Sequence, residues 1–328
     1  MDYRKLLTSL VLLFFYGQAM SNDDPILKCQ NGDAKSCYNL GYVSLTGFMN
    51  VKVDEKKALE FLNLGCDYDG KASCFLLGNV YEKGRGKIKQ DLEKAHVFYD
   101  RACNLEDKRS CVLLGLMNLN DKKSEEALTS FNKACNLNDG FGCLQEAILL
   151  DNQGNFKKAL ELFNKSCELK NYDGCSFVAD YYAQGKEVLA SEDKALGIYE
   201  NACDNKSFRA CNILIKKATN ENKAFELKQK ACNLGDVKSC DKLSYAYLEG
   251  KGVIQDTKKG IELLKKSCGV KSPSSCLSLG EIYEDGVYVD KDLTLSMENY
   301  MRGCIYGIKD SCSKAEIIGK KIESLNKK

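Results

Sequence analysis

The eighteen cysteines of this 328-residue chain come in nine pairs, and each pair has seven residues between its two members. Counted from Cys29 to Cys304, the first members of successive pairs lie 29 to 37 residues apart. A unit of this length with variable insertions is typical of a solenoid built from repeats. The pairs are Cys29–Cys37, Cys66–Cys74, Cys103–Cys111, Cys135–Cys143, Cys167–Cys175, Cys203–Cys211, Cys232–Cys240, Cys268–Cys276 and Cys304–Cys312.

The spacing of eight requires a turn between the two cysteines of a pair. Residues eight apart on one helix would be about 12 Å apart, whereas a disulfide needs Cα atoms within about 7 Å. Intervening sequences such as CNLGDVKSC are typical of turns. Pairing along the stack, as between Cys74 and Cys111, is disfavoured because equivalent positions lie a helix-pair width apart. Zinc ligation, the other alternative, usually has closer C-x2-4-C spacing. We predict nine disulfides across connecting turns.

Each unit carries two patterns with intervals of three and four residues, which mark one face of a helix. The first follows the second cysteine of a pair, as at Leu77-Gly78 with Tyr81. The second pattern is small-x3-aromatic-x2-small: Ala95, Tyr99, Ala102; Ala127, Phe131, Ala134; Ala159, Phe163, Ser166; Ala195, Tyr199, Ala202. Small residues let two helices approach closely, so each unit is predicted to be two antiparallel helices. Glycines between them end the first helix, and acids such as Asp91 and Asp256 cap the second.

The predicted fold is therefore all-α, an α/α solenoid superhelix of helix-pair repeats joined by disulfides. We expect one solenoid over residues 22–328, with about eight repeats between 37 and 304. A short N-terminal piece, Asp24 to Gln30, and a C-terminal helix over 311–327 would cap its ends. The units beginning at Cys111 and Cys211 have lost most of the loop between their helices. The second of these has Lys228 at the aromatic position, which predicts looser packing and a change of curvature.

The N-terminus has the pattern of a secretory signal peptide over residues 1–21. Arg4 and Lys5 precede an apolar run from Leu6 to Tyr16, and small residues follow near Ala19. This run is too short for a typical membrane span, although an uncleaved anchor is the alternative. We expect a secreted or periplasmic protein without a membrane span after cleavage, in a compartment where disulfides persist.

Charge and histidine content narrow the possible functions. Lys+Arg 48 against Asp+Glu 46 gives a net charge of +2, so no nucleic-acid partner is expected. The single histidine, His96, rules out a His-rich metal site, and no cofactor or metal is expected. His96 follows Ala95, which faces the partner helix, so we expect it to point partly outward as a surface or spacer residue.

The combination C-x-x-L-G-x-x-Y, a glycine loop and K-A-x3-Y-x2-A-C resembles Sel1-like repeats, relatives of the tetratricopeptide repeat. With C-x7-C at every junction, the chain resembles the Helicobacter cysteine-rich protein family from Cys29 to Cys312. This resemblance implies binding of penicillin-like compounds and slow β-lactam hydrolysis.

The serine β-lactamase motifs S-D-N and K-T-G are absent. The motif S-x-x-K occurs about as often as chance allows, at Ser130–Lys133, Ser191–Lys194, Ser239–Lys242, Ser311–Lys314 and Ser324–Lys327. Whether the protein is an enzyme stays open, and no catalytic residue is assigned.

The remaining candidate site is a concave groove lined by the first helix of each pair. By analogy with tetratricopeptide repeats, its positions follow the second cysteine, the glycine and the tyrosine of each unit. The groove would hold a peptide, a protein segment, or a peptidoglycan-like or β-lactam-like small molecule. The alternative is a purely non-catalytic interaction scaffold. The predicted groove residues are Tyr38, Tyr42, Phe75, Asn79, Glu82, Lys83, Leu116, Ile148, Asp180, Tyr245, Leu277, Glu281, Glu284 and Asp285.

Overall fold

The computed structural model describes residues 24–326, which form α-helices joined by short turns and loops. The predicted all-α repeat fold is confirmed. The predicted signal peptide over residues 1–21 lies outside the described residues. Within the described part, the chain divides into two compact units, 24–171 and 172–326, which we call unit 1 and unit 2.

Unit 1 consists of a short N-terminal helix followed by four helix pairs. A 3-10 turn, Phe48–Asn50, lies between the two helices of the first pair. The α-helices are α1 (Pro25–Gln30), α2 (Ala34–Thr46), α3 (Glu55–Asp67), α4 (Lys71–Lys83), α5 (Leu92–Asn104), α6 (Lys108–Asn120), α7 (Ser124–Asn136), α8 (Gly140–Asn152) and α9 (Phe156–Glu168).

Unit 2 contains four further helix pairs and the longest helix of the described chain. Its helices are α10 (Tyr172–Gln184), α11 (Glu192–Asp204), α12 (Phe208–Lys217), α13 (Glu221–Asn233), α14 (Val237–Glu249), α15 (Thr257–Gly269), α16 (Pro273–Asp285), α17 (Leu293–Ile305) and α18 (Lys309–Asn326). In both units, we call the helix that follows a C-x7-C turn the first helix of a pair and its partner the second helix.

Side-chain caps start many of these helices. Asp91 accepts a hydrogen bond from the Lys94 amide at 3.0 Å, and Asp256 accepts one from the Lys259 amide at 3.0 Å. Each carboxylate satisfies one of the free N–H groups of a helix start. Both caps were predicted from the sequence and are confirmed.

The two helices of a pair meet where a glycine faces an aromatic ring. A Cβ atom at Gly78 would lie 2.6 Å from the Tyr99 ring, so only glycine permits this approach of α4 and α5. Tyr99 is fully buried, as are Ala95 and Ala102 on the same helix face. The small-aromatic-small pattern therefore builds the core between the helices, as predicted.

Within each unit, the disulfides join a helix to the helix that follows it across a connecting turn. In eight of the bridges, the two Cα atoms lie 4.5 to 4.9 Å apart. Cys167 and Cys175 are also disulfide-bonded, which completes nine bridges at the C-x7-C spacing. In the chain-entropy account, closing each of these short loops adds about 2.5 kcal/mol to the unfolding free energy.

The pair α12 and α13 departs from the pattern, as its sequence indicates. Helix α12 has only ten residues. Lys228, at the aromatic position, is half-buried, while its neighbour Leu227 is buried. Phe225 packs edge-on against Tyr247, with ring centroids 5.3 Å apart. The change of curvature predicted for this pair stays a prediction.

Candidate functional site

The first helices of unit 1 present aromatic side chains at the predicted groove positions. The Tyr38 and Tyr42 rings on α2 stack with centroids 6.1 Å apart, and Tyr42 is 41% exposed. On α4, the half-buried Phe75 ring lies 4.2 Å below the guanidinium carbon of Arg109, which comes from α6. Leu116 on α6 is also exposed. We call the surface formed by these five residues the first-helix face of unit 1.

Glu82, another predicted groove residue, is hydrogen-bonded to a buried tyrosine of its own helix pair. The Tyr99 hydroxyl donates a hydrogen bond to the Glu82 carboxylate at 2.7 Å. Burial, and then this carboxylate, raise the pKa of Tyr99 well above its usual value, while a hydrogen bond with Asn79 acts in the opposite direction. Asn79 and Glu82 therefore help to position the Tyr99 hydroxyl. Lys83 is exposed at the end of α4.

In unit 2, the predicted residue Asp180 forms part of a closed polar cluster. Its carboxylate accepts a hydrogen bond from Tyr199 and forms an ion pair with Arg209. The Arg209 guanidinium also donates to the Ser176 hydroxyl at 2.9 Å and lies 3.9 Å over the Phe177 ring. These contacts join α10, α11 and α12.

The remaining predicted residues of unit 2 also contact neighbouring helices. Glu281 accepts a hydrogen bond from the Lys314 ammonium at 2.6 Å, and Glu284 accepts one from the Tyr300 hydroxyl at 2.8 Å. The Tyr245 hydroxyl donates to Ser278 at 2.8 Å. Lys314 thus partly neutralises the acidic side chains of this part of α16. Of the other predicted positions, Leu277 and Ile148 are half-buried and Asp285 is exposed.

His96 lies at the centre of a second candidate site, in unit 1. Its Nε2 atom is 3.0 Å from the side-chain oxygen of Asn118, which is buried. The Asn118 amide nitrogen donates to the Ser130 hydroxyl at 3.5 Å, and Ser130 donates to the Glu126 carbonyl at 2.8 Å. Because the amide oxygen faces the ring, the proton of a neutral His96 resides on Nε2.

Two cavities lie beside His96. The larger one has a volume of about 670 Å³ and is bounded by the end of α4, the first turn of α5 and the last turns of α6. We call it the His96 cleft. The smaller one, of about 280 Å³, is lined by residues that include Asn118, Ser130 and Lys133. His96 lines both cavities.

His96 was predicted to point partly outward as a surface or spacer residue; its ring is half-buried, and its hydrogen bond to Asn118 was not predicted. The sequence does distinguish Asn118 from its equivalents in other repeats. Asn118 follows Cys111 by seven residues, and the residue at the same distance from Cys74 is Tyr81. An amide therefore replaces the tyrosine of the repeat pattern. This departure marks the helix pair that borders the cleft.

In the S-x-x-K motifs at Ser130 and Ser191, the side-chain ammonium of the lysine is hydrogen-bonded to another residue and not to the serine hydroxyl. Lys133 donates to Asn104 at 2.7 Å, while Ser130 donates to a main-chain carbonyl. Ser191 caps a helix, and Lys194 donates to the Tyr182 hydroxyl at 2.8 Å. These serines have structural partners instead of an activating base.

Across residues 24–326, no group of three or more His, Cys, Asp or Glu side chains is arranged to hold a metal ion. None of the helices in this same range has the length and apolar character needed to cross a bilayer.

Family models match most of the repeats. The tetratricopeptide repeat model matches residues 108–140. No curated protein matches the chain. The Sel1 repeat model matches well over half of the chain, at residues 34–67, 71–107, 152–171, 173–207, 214–236, 237–268 and 273–303.

Several solved structures are similar. A Sel1 repeat protein from Oxalobacter formigenes is 18% identical over 96% of this chain and 92% of its own, with a TM-score of 0.56, which supports the fold alone. Cysteine-rich protein B of Helicobacter pylori is 30% identical over 37% of this chain and 94% of its own, with a TM-score of 0.32. A protective antigen of uropathogenic Escherichia coli is 20% identical over 95% of this chain and 82% of its own, with a TM-score of 0.42.

Proposed function

Since the chain belongs to the Sel1 repeat family, we propose that it is an interaction scaffold that binds a peptide or protein segment on the first-helix face of unit 1. One observation carries this proposal. The stacked Tyr38 and Tyr42 rings and the Phe75–Arg109 pair form an aromatic and cationic surface on neighbouring first helices. Aromatic and arginine side chains contribute most to binding free energy at protein interfaces.

The disulfides favour binding on this face because they limit the motion of the helices that carry it. Cys29–Cys37 and Cys66–Cys74 hold the starts of α2 and α4 against the preceding helices. A ligand therefore meets a surface that is already ordered, and less conformational entropy is lost on binding.

Unit 1 is preferred over unit 2 because of what the corresponding side chains contact. In unit 2, Asp180 is paired with Arg209 and Glu281 with Lys314. A polar ligand there would have to compete with these ion pairs. On α2 and α4, the aromatic rings offer contact area without such competition.

A double substitution on the first-helix face tests the proposal. Peptides selected from a displayed random library against the oxidised chain should bind Tyr42→Ala/Phe75→Ala at least about tenfold more weakly, because two aromatic anchors are lost. Phe48→Ala is the matched control, since Phe48 is an exposed aromatic residue in the 3-10 turn, outside this face. Equal binding by the double variant and the wild type would contradict the proposal. Peptidoglycan fragments serve as a second ligand class in the same assay.

We also propose that the protein works outside the cytoplasm, after removal of residues 1–21. The nine disulfides are typical of an oxidising extracellular or periplasmic environment. N-terminal sequencing of the protein from its natural host should find a mature chain that begins close to Ser21. A mature chain that begins at Met1 would contradict this proposal.

A second candidate function is slow β-lactam hydrolysis, implied by resemblance to the Helicobacter cysteine-rich proteins. One local observation favours a place for it: the His96–Asn118–Ser130 hydrogen bonds border the smaller cavity, which Lys133 also lines. Hydrolysis of nitrocefin by the oxidised protein should then fall in both His96→Asn and Ser130→Ala. A rate equal to that of the heat-denatured protein, or one unchanged in both variants, would exclude this function.

A further inference from the structure

In two helix pairs with a long inter-helix loop, the loop covers the preceding pair. The loop between α4 and α5, residues 84–91, packs Ile88 against the buried cluster of Leu45, Ala58 and Val80. Gly86 lies so close to the Glu55 carboxylate that a Cβ atom there would clash with it. A glycine and an aliphatic residue of this loop therefore close the space above α2 and α3.

The same arrangement occurs in unit 2. Val253, in the loop between α14 and α15, packs in one cluster with Phe225. A Cβ atom at Gly252 would lie 3.2 Å from the Cβ atom of Phe225. Phe225 precedes Cys232 by seven residues, and His96 precedes Cys103 by seven residues. His96 and Phe225 are thus equivalent positions in two second helices.

The helix pair after His96 has no such loop. Its connection between α6 and α7 consists only of residues 121–123. The space that a loop covers elsewhere is here the His96 cleft, of about 670 Å³, with Leu92, Leu113 and Met117 as apolar lining. The cleft therefore corresponds to the space that the inter-helix loop fills in the two pairs described above, and the α6–α7 connection is too short to fill it.

Other pairs with short connections are closed by polar side chains. Between α8 and α9 the connection is residues 153–155, and Gln153 donates to the Glu125 carboxylate of α7 at 3.4 Å. Between α12 and α13, Lys217 reaches the Glu192 carboxylate of α11 at 2.8 Å. In these two pairs, a polar side chain thus reaches back to a carboxylate of the preceding second helix.

The charge of the cleft indicates what it would accept. Glu82, Glu93 and Asp121 line it with only Lys123 as a basic residue of fixed charge. The loop over residues 84–91, which covers α2 and α3, has the opposite charge. In it, Arg85 and Lys87 flank Gly86 and precede Ile88. An acidic lining with an apolar floor fits a basic segment that carries an aliphatic side chain.

We propose that the His96 cleft binds a partner peptide with a Gly-x-aliphatic sequence next to Lys or Arg, in the manner of the chain's own loops. The aliphatic side chain lies over His96 and Leu92, and the basic residue pairs with Glu93. This inference rests on the proposed scaffold function and deepens it by naming a partner chemistry and a second contact site, which shares Leu116 with the first-helix face of unit 1.

A synthetic peptide copying residues 84–91, GRGKIKQD, tests the proposal with the full oxidised chain. Fluorescence anisotropy should show saturable binding, and a peptide with the Ile88→Ser change should bind at least about tenfold more weakly. His96 is the only histidine, so its ring NMR signals report directly on occupation of the cleft. These signals should shift with the same concentration dependence as the anisotropy.

Variants of exposed residues separate the cleft from other surfaces. Leu92→Ser and Glu93→Lys should each weaken binding at least about fivefold. Glu125→Lys is the matched control, because Glu125 holds the position of Glu93 one repeat later. Tyr42→Ala/Phe75→Ala should bind this peptide like the wild type, so failure of the first-helix-face proposal is distinguishable. No saturable binding up to about 2 mM, or binding unchanged in both cleft variants, would overturn the inference.

Discussion

At the scale of single residues, Glu146 departs most clearly from the repeat pattern. It follows Cys143 by three residues, where Leu77 follows Cys74, so a carboxylate occupies a core leucine position. Glu146 is 1% exposed. One oxygen accepts from the Asn132 amide at 2.8 Å, and the other has no hydrogen-bond partner. A buried polar atom without a partner lowers stability.

Replacing Glu146 should therefore stabilise the protein. We expect Glu146→Leu to raise the unfolding free energy by about 1–2 kcal/mol, because it removes an unpaired buried oxygen and restores apolar packing. The reverse change at the equivalent position, Leu114→Glu, should lower it by at least about 3 kcal/mol. Chemical denaturation of the oxidised proteins measures both. A less stable Glu146→Leu variant would show that the carboxylate has a role in the fold beyond its bond to Asn132.

At the scale of helices, buried tyrosine hydroxyls link the two members of several pairs. Tyr99 donates to Glu82, and Tyr300 donates to Glu284. Burial first, and then the neighbouring carboxylate, raise the pKa of both hydroxyls above the usual value for tyrosine. Phe131 fills the same position in α7, so the ring packs the pair and the hydroxyl adds a polar link.

Stability should consequently fall at alkaline pH. The pKa of these tyrosines is raised in the folded state, so their contribution is complete below the unfolded-state pKa of about 10 and is lost as pH rises above it. We expect Tyr99→Phe to be less stable at pH 7 by about 1 kcal/mol and to lose less stability between about pH 9 and 11. Urea denaturation across this range checks the slope. An identical pH dependence in the variant and the wild type would contradict the assignment to Tyr99.

The repeat itself was predictable because it depends on local spacing. Cysteines eight apart require a turn, and Ala95, Tyr99 and Ala102 at intervals of four and three require a helix face. The contacts of Arg209 with Asp180 were not predictable, since they join first helices about 30 residues apart and no repeat pattern encodes them. Glu82 and Asp180 were placed in the groove by position, but their hydrogen-bond partners come from other helices.

At the scale of the whole molecule, stability is distributed along the chain instead of residing in one core. Each helix pair has its own buried aromatic residue or leucine, and each connecting turn has its own disulfide. In such repeat proteins, stability is approximately a sum of repeat and neighbour contributions. Removal of one disulfide or one buried side chain should therefore destabilise mainly the helices next to it.

Removal of one bridge tests this view. Cys66→Ser/Cys74→Ser should increase hydrogen exchange mainly in α3 and α4, with an unfolding free energy lower by about 2.5 kcal/mol, while α8 and α9 keep their protection. Cys29→Ser/Cys37→Ser, at the end of the described chain, serves as the comparison and should affect α1 and α2. Hydrogen-exchange mass spectrometry resolves these segments. Uniform loss of protection throughout residues 24–171 would indicate one cooperative core instead.

The eight-residue spacing of the cysteines also has a consequence for how the protein matures. Every cysteine has its correct partner as its nearest cysteine in sequence, because all other cysteines are at least 21 residues away by subtraction of their positions. Short loops close with the least entropic cost, so the correct bridge is also the one that forms most readily. As the chain emerges from the N-terminus onward, each bridge can close before the cysteines of the next pair have appeared. A protein with eighteen cysteines can thus be oxidised in order of synthesis, without a search among alternative pairings.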